Sequence, residues 1–285
     1  ITAGGSLVTP IIPPGIALII YGLVADVSIG KMFIAGLVPG LLCAVVLMFT
    51  VYLVARKTNA KPSRESWPTG KEMVFSLGQA WPALFLIFAV VGGIRANIFT
   101  PTEAGAVAVL IVLAIGFFIY REMRISHVVK ALGETARATA SVMLVIMASA
   151  ALGWIFSMEH AGVAVANFVT SLTENKYMFL LIINILLLTL GMFLEGNAIL
   201  LILVPLLKPV VEHFGIDPVH FGIIMILNLS LGTLSPPVGT VMLLVCNTVQ
   251  VSVGQFMREA VPLLVSLILL LLVITYIPAI SLLLV

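Results

Sequence analysis

The sequence has very little charge. Only 9% of its 285 residues are Asp, Glu, Lys or Arg, whereas soluble domains carry about 25%. So few charges could not cover a surface in water, which excludes a cytosolic enzyme, a nucleic-acid-binding protein and a disordered chain. The net charge of +2 is too small to indicate a polyanionic partner. The two cysteines, Cys43 and Cys246, lie far apart in apolar runs, so no disulfide framework or transition-metal site is indicated.

Long uncharged runs make up most of the chain, and 61% of its residues are hydrophobic. About 20 apolar residues are needed for a helix to cross the hydrocarbon core of a bilayer. No ten-residue alternation typical of a membrane β-barrel is present. The sequence therefore predicts an all-α integral membrane protein. The expected spans are residues 32–55, 73–94, 104–120, 138–158, 177–194 and 260–285.

Positive charges are concentrated in two segments, residues 56–71 and 121–137, which hold nine of the 14 Lys and Arg residues. The positive-inside rule predicts that both segments are cytoplasmic and that residues 95–103, between the two intervening spans, lie outside. Apolar residues are interspersed with the charges in both segments. We therefore expect amphipathic helices that contact membrane lipid at the surface.

Two parts of the chain resemble each other. Pro-Pro at residues 13–14 is followed by an apolar half-span, by Val-Ser-x-Gly at residues 27–30, and by a full span. Pro-Pro at residues 236–237 is followed by the same features in the same order, with Val-Ser-x-Gly at residues 251–254. This pattern predicts an internal repeat, and inverted copies are favoured by analogy with secondary transporters. Parallel copies stay open, because the sequence does not show whether residues 162–176 cross the membrane.

Prolines and glycines interrupt the helix in both copies. Proline has no N–H and clashes with the carbonyl four residues earlier, so we expect Ser6, Thr9, Pro10, Gly232 and Thr233 to have carbonyls without helical donors. Within a membrane such carbonyls are tolerated where they line a cavity or meet an ion. Nearby hydroxyls add further oxygen atoms. The sequence therefore predicts cation sites at both breaks, with a pair of purely structural kinks as the alternative.

The polar triplet Glu195-Gly196-Asn197 separates two apolar arms within residues 177–213. This pattern is typical of the tip of a re-entrant hairpin. An acid at membrane depth is by default a functional hypothesis, so Glu195 is a candidate site residue. In the alternative, Glu195 ends an ordinary span and Asn197 is a helix cap.

These motifs together resemble the large membrane subunit of tripartite ATP-independent periplasmic (TRAP) transporters. The matching motifs occur in the family's order, at residues 4–14, 27–30, 99–104, 191–195, 215–222 and 234–239. Gly15 stands where the family usually has Ser. The family also has a first hairpin upstream of its first broken helix, so the chain resembles the C-terminal two-thirds of such a subunit and we expect a longer parent chain.

The resemblance implies an elevator-type inverted-repeat secondary transporter. It implies sodium-coupled uptake of an organic acid, such as a dicarboxylate or sialic acid, across the bacterial inner membrane. A periplasmic substrate-binding protein would deliver the substrate, and a small four-helix membrane subunit would be the partner. Carried onto this sequence, mainly backbone carbonyls would bind Na⁺, and the tip residues Glu195, Gly196 and Asn197 would lie near ion and substrate. The implied sodium-binding residues are Gly5, Ser6, Val8 and Pro10 in one site, and Gly232, Thr233, Ser235 and Val238 in the other.

The expected organisation has three parts. Residues 1–55 end the first repeat, residues 56–137 hold the amphipathic helices and scaffold spans, and residues 138–285 form the second repeat. That repeat contains a hairpin at about 177–213 and a broken helix at 218–250. The main rival is a sodium/dicarboxylate symporter that needs no binding protein. An intramembrane enzyme is disfavoured, because all four histidines fall at predicted span ends and Glu195 has no intramembrane His or Asp partner.

Overall fold

The computed structural model describes residues 2–58, 69–96, 98–159 and 161–285, and over these ranges it is all helical. Much of the predicted surface segment 56–71 lies outside the described residues. By length and composition, seven of the described helical stretches are able to cross a membrane. They are Ile29–Lys57, Gly70–Arg95, Pro101–Ile119, Ile125–Ala148, Lys176–Phe193, Gly196–His213 and Val253–Tyr276.

The chain divides into two compact units. The first unit contains Ile1–Val54 and Leu144–Val285, and the second unit contains Ala55–Met143. The first boundary lies within one residue of the predicted one, and the second lies six residues after it. The two ends of the chain, predicted as the two repeats, therefore form one body.

The second unit contains α4 (Gly70–Arg95) and α5 (Pro101–Ala114), which contact each other. The start of α5 follows from its sequence: Pro101 stands in the first turn, where its missing N–H costs nothing, and Thr100 and Glu103 form a capping box. A π-helical turn, Ile115–Ile119, extends α5. α6 (Ile125–Met158) begins in this unit. Instead of a separate surface helix before the predicted 138–158 span, α6 is one continuous helix, because no proline interrupts these residues.

The first unit contains two broken helices whose elements follow the same order. α1 (Thr2–Ser6) and α2 (Ile16–Ala25) are followed by α3 (Ile29–Lys57). α10 (Pro218–Gly232) and α11 (Thr240–Val249) are followed by α12 (Val253–Tyr276). α2 and α11 have ten residues each and end at left-handed caps, Asp26 and Gln250. Both Pro-Pro bonds are cis. The helix breaks predicted from the Pro-Pro motifs are therefore present in both segments.

Three helices of the first unit directly precede α10 in the chain. α7 (Ala161–Leu172) is about 18 Å long, which is shorter than a bilayer core of about 30 Å. α8 (Lys176–Phe193) and α9 (Gly196–His213) have 18 residues each and are joined by a tight turn. α9 contacts α7 on one side and α2 on another.

α10 is the centre of the first unit. Every residue from Val219 to Gly232 is buried, as expected for a helix with apolar residues around its whole circumference, although His220, Asn228 and Ser230 are polar. It contacts α2, α8, α9 and α12, and also the short terminal helix α13 (Ala279–Leu282). The limits predicted for the last span, 260–285, were wrong: α12 ends at Tyr276, because Pro278 cannot continue a helix.

Candidate functional site

The turn between α8 and α9 is organised by Glu195. Its Oε2 accepts a hydrogen bond from the Ala198 N–H (2.9 Å), and its Oε1 accepts one from Nδ2 of Asn197 (2.7 Å). Glu195 is therefore the N-cap of α9, with its negative charge at the positive end of the helix dipole. The cap that the sequence suggested for Asn197 belongs to Glu195 instead, and Asn197 fixes the orientation of that carboxylate.

The end of α8 lies directly against the second helix break. Gly191 faces Gly232 so closely that a Cβ on Gly232 would lie 2.6 Å from the Cα and 2.8 Å from the carbonyl oxygen of Gly191. The Gly239 N–H also donates to the Met192 carbonyl (3.2 Å). Glycine at both positions allows the two backbones to touch. The tip of the hairpin is therefore attached to the loop of residues 233–239, as the sequence interpretation requires.

The carbonyls at the second break are not without donors, contrary to the prediction. The Gly232 carbonyl accepts from the Ser235 N–H (2.9 Å), and the Thr233 carbonyl accepts from the Val241 N–H (3.1 Å). The backbone curls into tight turns after α10, so loop N–H groups replace the donors that the prolines remove. The Thr233 carbonyl also accepts from the Met242 N–H (3.3 Å), so both of its lone pairs are used. Among the described residues, the Gly232 carbonyl has one donor and keeps a lone pair for a cation.

The first break is held against α3. Gly36 and Gly40 lie one turn apart and face Ile11 and Ile12, and a Cβ on Gly40 would lie 2.5 Å from Cγ1 of Ile12. This small-xxx-small spacing allows the loop to approach the helix closely.

Turns within this loop again supply donors where the sequence predicted a free carbonyl. The Ser6 carbonyl, which was predicted to be free, accepts from the Thr9 N–H (3.3 Å). The Val8 carbonyl, a ligand implied by the family resemblance, accepts from the Ile11 N–H (3.1 Å) and the Ile12 N–H (3.0 Å). Among the described residues, no backbone N–H donates to the Pro10 carbonyl. Pro10 therefore fits the predicted pattern better than Ser6 does.

The hairpin tip and both breaks border one cavity of about 190 Å³. Six of the predicted site residues line it: Ser6, Pro10, Glu195, Gly196, Asn197 and Thr233. Five others lie near the breaks but do not line it: Gly5, Val8, Gly232, Ser235 and Val238. Segments far apart in the sequence therefore border one cavity, and the assignment of ligands among them stays a prediction.

One polar lining residue was missed from the sequence. Ser230 lies one helical turn before Thr233, so both face the cavity. Its hydroxyl donates to the Ile226 carbonyl (2.7 Å), while the Thr233 hydroxyl donates to the Ser230 carbonyl (2.7 Å). Both hydroxyl oxygens keep free acceptor positions. The three-residue spacing back from Thr233 is the signal that would have identified Ser230.

The chemistry of the lining is oxygen-rich and bears one negative charge. Glu195 supplies the carboxylate, Asn197 an amide, and Ser6, Ser230 and Thr233 supply hydroxyls, whereas Lys, Arg and His are absent from the described lining. Oxygen ligands of this kind suit hard cations. The remaining walls are apolar side chains such as Leu200 and Leu229. The cavity can therefore hold a small polar solute together with a cation.

A larger cavity of about 550 Å³ lies elsewhere in the first unit, between α1, α11 and α12. Its lining is mainly apolar and includes Leu244, Leu263 and Leu267, with Glu259 as its one charged residue among those described. None of the predicted site residues borders it. We therefore identify the smaller cavity at the helix breaks as the candidate site.

The fold and the cavity together define a multi-pass membrane protein whose polar groups converge on interrupted helices. The chain belongs to the family of the DctM component of tripartite ATP-independent periplasmic transporters, whose model matches residues 1–280. This family consists of transporter permeases, so the resemblance seen in the motifs is confirmed.

The proteins that are similar to this chain are named for several different substrates. The chain is 39% identical over 288 residues to the sialic acid TRAP transporter large permease protein SiaM of Vibrio cholerae. It is 40% identical over 274 residues to the C4-dicarboxylate TRAP transporter large permease protein DctM of Pseudomonas aeruginosa. It is also 36% identical over 280 residues to the isethionate TRAP transporter permease protein DctMQ of Oleidesulfovibrio alaskensis.

These alignments cover nearly all of this chain but only part of each relative. They include 100%, 95% and 98% of the chain, and 66%, 63% and 44% of SiaM, DctM and DctMQ. The chain thus spans about two thirds of the two separate large permeases and less than half of DctMQ.

Proposed function

We propose that this chain forms the substrate-translocating part of a sodium-coupled importer of organic acids. The observation that carries the proposal is the cavity at the two helix breaks, which bears a carboxylate and no basic side chain among its described lining residues. An anionic substrate in such a place meets the like charge of Glu195. Bound cations that neutralise both charges are the simple physical solution, and the surrounding oxygens suit Na⁺.

The depth of the hairpin tip supports a re-entrant hairpin. α8 is about 27 Å long and α10 about 22 Å, and they run side by side until Gly191 meets Gly232. The chain then continues beyond the break through α11, which adds about 15 Å. We therefore propose that the tip lies at the depth of the helix interruption and not at a membrane surface.

The matched broken helices support an inverted repeat. In many secondary transporters, broken helices from two inverted copies build a binding site near the bilayer midplane, and one body moves against another. The first unit unites both broken helices and the hairpin, whereas the second unit contains α4 and α5. We propose that the first unit is the moving, elevator-type body and the second unit is part of the scaffold.

The substrate class and the partners come from the relatives. SiaM and DctM are named for sialic acid and C4-dicarboxylates, and DctMQ is named for isethionate, all of them organic acids. We propose an organic acid for this chain, delivered by a periplasmic substrate-binding protein. A small membrane subunit is the proposed second partner, in the bacterial inner membrane.

The test is uptake by proteoliposomes that hold the full-length protein with its small subunit, supplied with a periplasmic substrate-binding protein for the probe. Labelled sialic acid, succinate and isethionate are the probes, each with an inward gradient of Na⁺ or of K⁺. We expect one probe to accumulate only with Na⁺ and the binding protein. Uptake that needs Na⁺ but no binding protein would favour the self-sufficient symporter, and equal uptake with K⁺ would refute sodium coupling.

Glu195→Gln tests the role of the cavity. Glutamine keeps an oxygen that can cap Ala198 but removes the charge, so the half-saturating Na⁺ concentration should rise by about tenfold or more. Glu212→Gln is the matched control, because Glu212 is an exposed residue near the other end of the same helix. Equal effects of the two substitutions would contradict a specific role for the tip.

A further inference from the structure

Three polar side chains meet in the apolar interior of the first unit, and none of them borders the candidate cavity. Asn184 of α8, Asn228 of α10 and Thr275 of α12 are 4%, 0% and 0% exposed. Nδ2 of Asn228 donates to Oδ1 of Asn184 (2.6 Å), and Nδ2 of Asn184 donates to Oγ1 of Thr275 (3.2 Å). We call these three residues the amide network, and it links three different helices.

A contribution to folding stability does not by itself explain the amide network. Its neighbours in sequence are buried aliphatic residues such as Ile183, Leu227 and Ile274. Oδ1 of Asn228 is buried and has no hydrogen-bond partner among the described residues. An unpartnered buried acceptor costs free energy, and apolar residues of similar size at such a place are often as stable or more stable. The presence of two asparagines therefore indicates a role in specificity.

The network lies between the two elements that must be aligned at the candidate site. Asn228 is followed on α10 by the cavity residues Leu229 and Ser230. Asn184 lies on α8, two turns before Gly191, which touches Gly232. Directional hydrogen bonds specify one register where apolar surfaces permit several, and a single buried asparagine has this effect in coiled coils. The contact of Gly191 with Gly232 involves no side chains, so by itself it would permit α8 to shift along α10.

We propose that the amide network is a positioning device that fixes the register of α8 against α10. It thereby holds the hairpin tip at the correct height over the loop of residues 233–239, so that oxygens from both sides reach the same cation. Its residues act through the positions of their helices and do not touch the ion. This inference rests on the proposed function, since it assigns the network to the same sodium-binding site.

The test separates stability from ion affinity in the purified full-length protein with its small subunit. Thermal unfolding is followed in choline chloride and then with increasing NaCl, so Na⁺ alone is the probe. Asn228→Leu should lower the melting temperature in choline and raise the apparent Kd for Na⁺ by about threefold or more, the equivalent of an average interhelical hydrogen bond in a membrane. Asn167→Leu is the matched control, because Asn167 is exposed on α7, and it should leave the affinity for Na⁺ unchanged.

The decisive variant is Asn184→Leu combined with Asn228→Leu. Replacing both partners of the Asn184–Asn228 hydrogen bond by apolar residues should recover much of the melting temperature lost in Asn228→Leu, although the Thr275 hydroxyl loses its partner. The affinity for Na⁺ should stay reduced. An affinity restored to that of the wild type would show that the network only packs, and would overturn the proposal. If the double variant does not fold, the isosteric variant Thr275→Val replaces it, since it removes a single hydroxyl from the network. An unchanged Kd for Na⁺ in Thr275→Val would overturn the proposal. A wild-type protein that gains no stability from Na⁺ would instead refute the proposed function.

Discussion

The glycine contact between the hairpin and the broken helix gives a graded prediction. In Gly232→Ala, the new Cβ would lie 2.6 Å from the Cα of Gly191, whereas carbon atoms in contact are normally about 3.5 Å or more apart. The obstruction is backbone, so no side-chain rotation relieves it, and α8 must move away by about 1 Å. Overpacking of this kind costs about 1–3 kcal/mol. The displacement also exceeds the roughly 0.5 Å tolerance of a binding constellation, so sodium dependence should weaken strongly.

Three further substitutions complete the series. In Gly191→Ala, the nearest atoms are 3.2 Å away, so a shift of a few tenths of an ångström suffices, and the helix propensity gained, about 0.5–1 kcal/mol, offsets the strain. Gly254→Ala is the control: its Cβ meets nothing within 4 Å of the described residues, and it should be neutral or slightly stabilising. Gly232→Val should be worse than Gly232→Ala, because its side chain is larger and β-branched.

The assay measures the initial uptake rate against Na⁺ concentration, together with the melting temperature in choline. Both quantities should worsen in the order Gly254→Ala, Gly191→Ala, Gly232→Ala, Gly232→Val. A Gly232→Val protein that transports with unchanged sodium affinity would refute the reasoning, because the tip would not need to touch the break. The structure shows no equivalent obstruction at Gly5, where a Cβ meets nothing within 4 Å of the described residues. We therefore do not expect alanine or valine at Gly5 to weaken sodium dependence as they do at Gly232.

Three further predictions concern single positions. Ser235→Ala should raise the half-saturating Na⁺ concentration only modestly, by about threefold or less, since its hydroxyl lies outside the cavity lining and donates to Leu231; uptake assays at varied Na⁺ check this. Cysteine placed at Ile98 should be labelled from the periplasm and cysteine at Ser126 should not, and the reverse result would invert the topology. Tyr21→Phe should cost about 1 kcal/mol of stability, because a buried hydroxyl loses its 2.6 Å bond to the Pro218 carbonyl; thermal unfolding measures it, with substrate preference unchanged.

The helix breaks and the hairpin turn were predictable because their causes are local. Pro-Pro motifs interrupt a helix wherever they occur, and Glu195-Gly196-Asn197 is a polar turn between apolar arms. The same local rules explain the start of α5 at Thr100 and Pro101. Local physics also explains the error at the C-terminus, where Pro278 was read as part of a span although it ends α12.

Features that depend on distant partners were not predictable. The loop donors that satisfy the Gly232 and Thr233 carbonyls come from turns whose shape the sequence does not specify. The contact of Gly232 with Gly191 and the hydrogen bond of Asn228 to Asn184 join residues that are about 40 positions apart. In one sequence, these asparagines are indistinguishable from isolated polar residues in apolar helices.

The most direct test of the central claim is a flux of labelled sodium in proteoliposomes that hold the full-length protein and its small subunit. If the cavity binds cations together with an organic acid, ²²Na⁺ should enter only when the substrate-loaded binding protein is present outside. Glu195→Gln should reduce that entry, while Glu212→Gln should not. Substrate uptake at the normal rate without any accompanying entry of ²²Na⁺ would contradict the account.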